Sequence, residues 1–164
     1  MKIMIEIKKL PITRYKEYKA LRLEALKSDP TAFGSAYSEE KKLKENEWKR
    51  RLNSVLFVLS DNKPVGMIGH AFYKGHNSHI AYIFGFYVNR KYRGQGIGRE
   101  LLKSVLDAIS KNKKIIKIEL SVNTEQVAAI RLYEKNGFLV VGRFKKELKV
   151  NNRFFDEFTM EKML

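Results

Sequence analysis

Arg93-Gly94-Gln95-Gly96-Ile97-Gly98 decides how this chain is read. The run follows an apolar stretch, Ile80 to Val88. It precedes a stretch in which Ile97, Leu101, Val105, Leu106 and Ile109 share one helical face. Strand, glycine-rich turn and helix start therefore come in order. A helix start leaves its first N–H groups without partners and carries partial positive charge. Glycine has no Cβ, so a phosphate group can approach those N–H groups closely. The stretch reads as an anion site made of backbone. The plainer alternative is a turn whose glycines serve its geometry alone.

Outward from this turn, the order of elements narrows the fold. Residues 2–9 alternate apolar and basic residues and read as a first strand. Thr13 is placed to cap a helix to about Ser28, with Tyr15, Tyr18, Arg22 and Leu26 down one side and Asp29-Pro30 ending it. A second helix is expected from Ser38 through Trp48 to about Leu52, with Glu39 and Glu40 at its positive end. Val55–Ser60 and Val65–Tyr73 form a hairpin about Asp61-Asn62-Lys63, and Ile80–Val88 reads as a strand buried on both faces. A helix from Gly94 to Ser110 then leads to a strand over Ile115–Val122, which the intervening helix makes parallel to its predecessor. Asn123-x-x-Gln126 has the form of a capping box for a helix from about Thr124 to Lys135, stopped by Asn136-Gly137. Phe138–Val150 and Phe154–Met163 close the chain as an antiparallel pair about Asn151-Asn152. The expectation is one α+β domain over residues 1–164. Its mixed, mostly antiparallel sheet has one parallel βαβ crossover and about four flanking helices.

Composition bounds the function. The 164 residues contain no cysteine, which excludes disulfides, thiolate catalysis and cysteine-ligated metal; no metal site is expected. No apolar run approaches the roughly 18 residues of a membrane span. No leader pattern is visible, and a cytoplasmic location is the expectation. The net charge of +15 is large. It fits an acidic partner such as nucleic acid, but Lys outnumbers Arg and is spread along the chain, which favours a generally lysine-rich surface. A dinucleotide site wants a third glycine where Arg99 stands. Glu119 lies near the place of a ribose-binding acid, yet the turn sits mid-chain after hairpins with a single parallel crossover. A P-loop is excluded because no Gly-Lys-Ser/Thr follows.

Tyr87-Val88 and Tyr92-Arg93-Gly94-Gln95-Gly96-Ile97-Gly98 resemble the acetyl-CoA signature of the GCN5-related N-acetyltransferases, usually Q/R-x-x-G-x-G/A. Ala129-Ile130-Arg131-Leu132-Tyr133-Glu134-Lys135-Asn136-Gly137-Phe138 resembles that family's second hallmark, a helix leading to a Gly-Phe strand start. The resemblance covers nearly the whole chain, with Met1 to Ser54 alike only in layout. It implies a GNAT-like fold and direct acetyl transfer from acetyl-CoA to a primary amine, through a tetrahedral intermediate and without an acyl-enzyme. Phe86, Tyr87 and Val88 would pair with the pantetheine arm, one N–H polarising the thioester carbonyl. The N–H groups of Arg93, Gly94, Gln95, Gly96, Ile97, Gly98 and Arg99 would hold the pyrophosphate. Tyr133 would donate a proton to the leaving thiolate or hydrogen-bond to it; the alternative is a core tyrosine.

The chain departs from the family in two places. Gln126 stands where relatives carry an asparagine that contacts the cofactor. It either keeps that contact, with Asn123 beside it, or serves the cap. Ser121 stands where some relatives carry a glutamate base. Glu119, on the same strand face, is the catalytic alternative through a water; His70, His76, His79 and a water chain to bulk are others. The resemblance places the acceptor against Phe33, Tyr37, Tyr82 and Phe84, which would equally serve as core. The positive charge disfavours polyamine acceptors. A nucleic-acid-associated protein and a CoA-binding module without catalysis are the competing readings. A homodimer through the closing strands is compatible with the family.

Overall fold

The computed structural model describes residues 4–164. The elements are β1 (Ile5–Lys8), α1 (Tyr15–Ser28), α2 (Tyr37–Glu40), α3 (Glu45–Leu52), β2 (Val55–Ser60), β3 (Lys63–Phe72), β4 (Ile80–Val88), α4 (Ile97–Ser110), β5 (Lys117–Asn123), α5 (Val127–Lys135), β6 (Leu139–Val150) and β7 (Arg153–Met163). Residues 2 and 3 of the expected first strand lie outside the described residues. The seven strands form one sheet in the order β1-β2-β3-β4-β5-β7-β6, and β4–β5 is its parallel pair. This is the expected mixed sheet with one crossover, made by α4. Among the described residues no helix is long and apolar enough to cross a membrane.

The alternation of β2 shows how the sheet is covered on both faces. Phe57 and Leu59 pack under α1 and α3 with Tyr18, Leu21, Trp48 and Leu52; Val58 points the other way, towards α4. On α4, Ile97, Leu101, Leu102, Val105 and Ile109 are all buried, the stripe expected of a helix covering a sheet. Two hairpins turn on consecutive residues with positive φ, Asp61-Asn62 (47° and 62°) and Asn151-Asn152 (49° and 62°). These residues tolerate the left-handed region and suit two-residue hairpin turns.

Three local expectations are corrected. Thr13 caps nothing: Ile12–Arg14 form a 3-10 turn, and α1 starts at Tyr15 without a side-chain cap. Arg14 instead grips Glu17 and the Asn62 carbonyl, fixing the chain's entry by tertiary contacts. The single helix from Ser38 to Leu52 is two helices. Glu40 turns inward to a buried pair with Arg22, and α3 restarts where the Glu47 carboxylate accepts from the Lys44 N–H at 3.1 Å. The capping box at α5 is absent. The Asn123 side chain accepts from the Glu125 N–H at 2.9 Å, a tight Asx-type turn, and the helix begins at Val127.

Gly69 on β3 faces β4. A Cβ built there would lie 2.3 Å from the ring of Phe84. Gly69→Ala must displace that ring, and overpacking of this kind costs about 1–3 kcal/mol. Urea unfolding is expected to show a loss in that range.

Candidate active site

β4 and β5 part company. Their parallel pairing runs from Ile80↔Lys117 to Tyr82↔Glu119 and stops. Beyond Tyr82, β4 stays paired to β3 only, and Gly85 adopts a φ of +61° inside the strand. The result is a gap between two parallel strands. Its β4 edge, Phe84 to Val88, offers backbone groups that β5 does not use. This also corrects the expectation that β4 is buried on both faces, because Phe84 is 40% exposed at the gap.

The glycine-rich turn closes one end of the gap. Gly94 and Gly96 have φ of +75° and +80°, a region that L-residues rarely adopt. Gly96 is the N-cap of α4, and the first helical bond runs from the Glu100 N–H to the Gly96 carbonyl at 3.1 Å. The N–H groups of Ile97, Gly98 and Arg99 are therefore free of helical acceptors and sit at the positive end of a 14-residue helix. A Cβ on Gly98 would meet Phe86 at 3.5 Å, so the loop and β4 are in contact. Arg93 fixes the loop from behind. Its Nε donates to the Val88 carbonyl at 2.7 Å and its Nη2 to Asp29. Partial burial pushes the Asp29 carboxyl up, but bonds from Arg90 and Arg93 outweigh this and hold it below its ordinary value. The turn thus presents backbone N–H groups, with its nearby acid already neutralised.

Three connected cavities follow the gap. The first, about 290 Å³, lies against Phe86, Tyr87, Val88, Arg93, Gly94, Gly96, Ile97, Gly98 and Gln126. The second, about 90 Å³, is bounded by Phe86, Gln126, Ser121, Gly85 and Tyr133. The third, about 400 Å³, continues past Phe84, Gly85 and Ser121 to Phe33, Tyr82, Glu119 and Glu157. Their shared walls place Tyr133 at the narrow junction. Tyr133 is 6% exposed, its ring lies 6.1 Å from Phe86 and 5.7 Å from Phe138, and burial pushes its phenol well above the ordinary value. The phenol has no hydrogen-bond partner among the described residues.

Several residues expected at the site lie elsewhere. Asn123 is buried away from the three cavities, its amide donating to the Thr31 carbonyl at 2.9 Å. Gln95 and Arg99 keep their expected places in the turn and the first turn of α4, where their backbone N–H groups lie; only their side chains turn away, that of Gln95 to the Lys91 carbonyl and that of Arg99 to Glu100. Gln126 does face the first two cavities, with its Nε2 3.4 Å from Thr31 Oγ1. Tyr37 is held between Lys27 and Lys41, outside the cavities, so its face serves those cations. Glu119 borders the third cavity, but Lys117 pairs with it at 2.8 Å and Tyr73 also bonds to it. His76 and His79 are exposed, and His70 packs edge-on against Phe72 away from the cavities.

Glu157 is a candidate that the sequence alone did not single out. It sits on β7 opposite Asn123 of β5, one pleat from the Ser121↔Thr159 pair, and faces the third cavity. Burial, then the nearby charge of Glu147, push its carboxyl above the ordinary value. It makes no salt bridge among the described residues. The third cavity thus carries an unpaired carboxylate beside Ser121.

A model of the acetyltransferase (GNAT) family matches residues 20–138. The chain belongs to this family. Among curated relatives, the spermine/spermidine N(1)-acetyltransferase of Bacillus subtilis is 33% identical over 66 residues, 40% of this chain and 41% of that protein. The L-amino acid N-acetyltransferase AaaT of Escherichia coli is 28% identical over 86 residues, 52% of each chain. The matched stretches thus span about half or less of these GNAT relatives. Among solved structures, a GNAT acetyltransferase from Streptococcus pneumoniae superposes with a TM-score of 0.86 at 22% identity, covering 98% of this chain and 100% of that one. The yncA acetyltransferase of Salmonella typhimurium, solved with acetyl-CoA, gives 0.83 at 15% identity over 98% and 94% of the two chains. The fold of the GNAT family is therefore present along nearly the whole chain.

The glycine turn yields a direct expectation. Gly96→Ala places a Cβ on a residue with φ of +80°, which costs about 1–2 kcal/mol. CoA affinity measured by calorimetry is expected to fall about tenfold, because relief of that strain moves the N–H groups at the start of α4.

Proposed function

We propose that this chain transfers an acetyl group from acetyl-CoA directly to a primary amine. The parting of β4 from β5 beside the glycine turn carries this reading. It supplies a strand edge, an anion cradle and a passage through the sheet in one line. The cradle fits the cofactor: Gly94 leaves open space where a Cβ would stand, a Cβ on Gly96 would meet only the far end of Arg99 at 3.9 Å, and the N–H groups at the start of α4 suit a pyrophosphate. Phe86, Tyr87 and Val88 offer the strand edge to the pantetheine arm. Acetyl-CoA supplies an acetyl group activated as a thioester.

Each residue at the junction then has a task. An N–H of β4 at the gap polarises the thioester carbonyl. Glu157 receives the acceptor's ammonium in the third cavity and takes one proton, which frees the nitrogen lone pair to bond to the acetyl carbon; the second amine proton passes to the departing sulfur, so that a neutral amide and a free thiol leave. The carbon–sulfur bond breaks, and Tyr133 hydrogen-bonds to the departing thiolate. A free thiol has a pKa of about 8.5, below that of this buried phenol. Tyr133 therefore stabilises the thiolate by its hydrogen bond and keeps its proton. Glu119, already bound to Lys117 and Tyr73, orders the cavity wall.

Thiol release from acetyl-CoA, measured against a panel of amines, amino acids and peptides, tests this reading. Release with one acceptor class supports it. No release above background, with CoA still bound tightly, makes the chain a CoA-binding module.

A further inference from the structure

A fourth cavity lies on the α1–α3 side of the sheet, about 390 Å³ in volume. It meets the third cavity along Arg22, Ser35, Tyr82, Phe84 and Gly85. Its charges are those of Arg22, Arg50, Arg51 and Glu40. Arg22 gives Nε and Nη2 to Glu40 at 3.0 and 2.9 Å, and Arg51 Nη1 lies 3.1 Å from the same carboxylate. Burial pushes the Glu40 carboxyl up, but the bonds from Arg22 and the charge of Arg51 more than reverse this, so Glu40 is ionised and fully committed. Three cations against one anion leave the chamber positive. Arg50 is exposed and makes no salt bridge among the described residues. Arg22 Nη1 lies 3.6 Å from where a Cβ on Gly85 would stand, so the third guanidinium nitrogen points at the bulge of β4, where the cavities meet.

The two chambers therefore have opposite character. The one that holds the unpaired Glu157 suits a cation, and the one that holds Arg50 and Arg51 suits an anion. Phe84 and Gly85 form the doorstep between them, and Gly69 lacks the Cβ that would push Phe84 out of place. We infer that the arginine-lined chamber seats a carboxylate of the acceptor, so that the substrate class is an amino acid whose amine turns towards Glu157. This rests on the transferase reading above. Guanidinium groups bind carboxylates in forked pairs, and the partly bare Arg50 and Arg51 are the ones available for it. A polyamine would put its distal cation against this chamber and be repelled. The overall charge of +15 also repels polyamines.

Binding of reaction products tests the inference without requiring turnover. N-acetyl-L-leucine would be compared with its amide, and N-acetyl-L-glutamate with N-acetyl-L-glutamine, by calorimetry on the CoA-bound protein. In at least one pair the acid is expected to bind about tenfold more tightly. That preference is expected to vanish in Arg50→Glu combined with Arg51→Gln, while CoA affinity stays unchanged. Equal binding within both pairs, or a preference that survives the double substitution, overturns the inference. A preference that behaves as expected, without thiol release from any amine, supports the subsite and defeats the transferase reading instead. If the double variant unfolds, Arg50→Glu alone carries the test, because that side chain is exposed and unpaired.

Discussion

Tyr133→Phe is expected to lower kcat about a hundredfold while leaving CoA affinity nearly unchanged. The substitution removes one oxygen from the junction of the cavities and nothing else. The ring keeps its contacts with Phe86 and Phe138 and stays in the core cluster. The phenol has no hydrogen-bond partner among the described residues, so losing it orphans no donor or acceptor there, and folding stability is expected to hold or rise slightly. A hundredfold fall in kcat corresponds to about 2.7 kcal/mol of transition-state stabilisation, the size expected for a hydrogen bond to a developing anion in a dry site. Because the bond forms only as the thiolate leaves, the loss belongs in kcat and not in binding. Single-turnover rates with calorimetric CoA affinities separate the two. An unchanged kcat would make Tyr133 a packing residue.

The fold was legible wherever local pattern and tertiary need coincide. The stripe Ile97-Leu101-Val105-Ile109 and the hairpin turns at Asp61-Asn62 and Asn151-Asn152 are dictated by period and by φ. Their elements lie where the pattern puts them. The break between α2 and α3 follows from the buried Arg22–Glu40 pair, a contact 18 residues apart that no periodicity announces. The same holds for Asn123. Its spacing to Gln126 suits a cap, but the carbonyl of Thr31, brought across from the segment after α1, takes its amide.

The candidate site divides along the same line. The cradle at Gly94 and Gly96 is local and could be read from the sequence. The acid proposed for the acceptor side could not, because Glu157 enters the cavity only through the antiparallel register of β7 on β5. A signal against Glu119 was present: Lys117 and Glu119 share a strand face, and two opposite charges so placed satisfy each other. Tyr37 shows a related ambiguity. An aromatic that the resemblance places against the acceptor is as useful to two lysines as to a ligand.

Glu157→Gln is expected to lower kcat/KM for the acceptor amine by about 10²–10³-fold and to abolish the acidic limb of the pH–rate profile. A carboxylate that accepts a proton must be ionised, so activity falls as pH drops through its pKa. Burial, then repulsion from Glu147 on β6, raise that pKa above the ordinary carboxylate range. The limb should therefore lie at higher pH than an exposed glutamate would give. The other charged groups lining the same cavity are Arg22 of α1 and Glu119 of β5, and each already has a partner. Gln keeps the shape of the side chain and cannot titrate. What pH dependence remains in the variant belongs to the amine itself. Stability should move the opposite way to activity. A folded pKa raised above the unfolded one means that stability present at low pH is lost as pH rises through it, so the ionised group opposes folding near pH 7. Removing that charge is expected to raise Tm at neutral pH while activity collapses, a combination that damage to the fold cannot produce. Glu119→Gln serves as the comparison, with its acidic limb intact and kcat within about threefold, since a pairing role contributes little to the chemistry. A Glu157→Gln enzyme that keeps the wild-type limb would return the proton to a water chain and leave Glu157 as a binding residue for the ammonium.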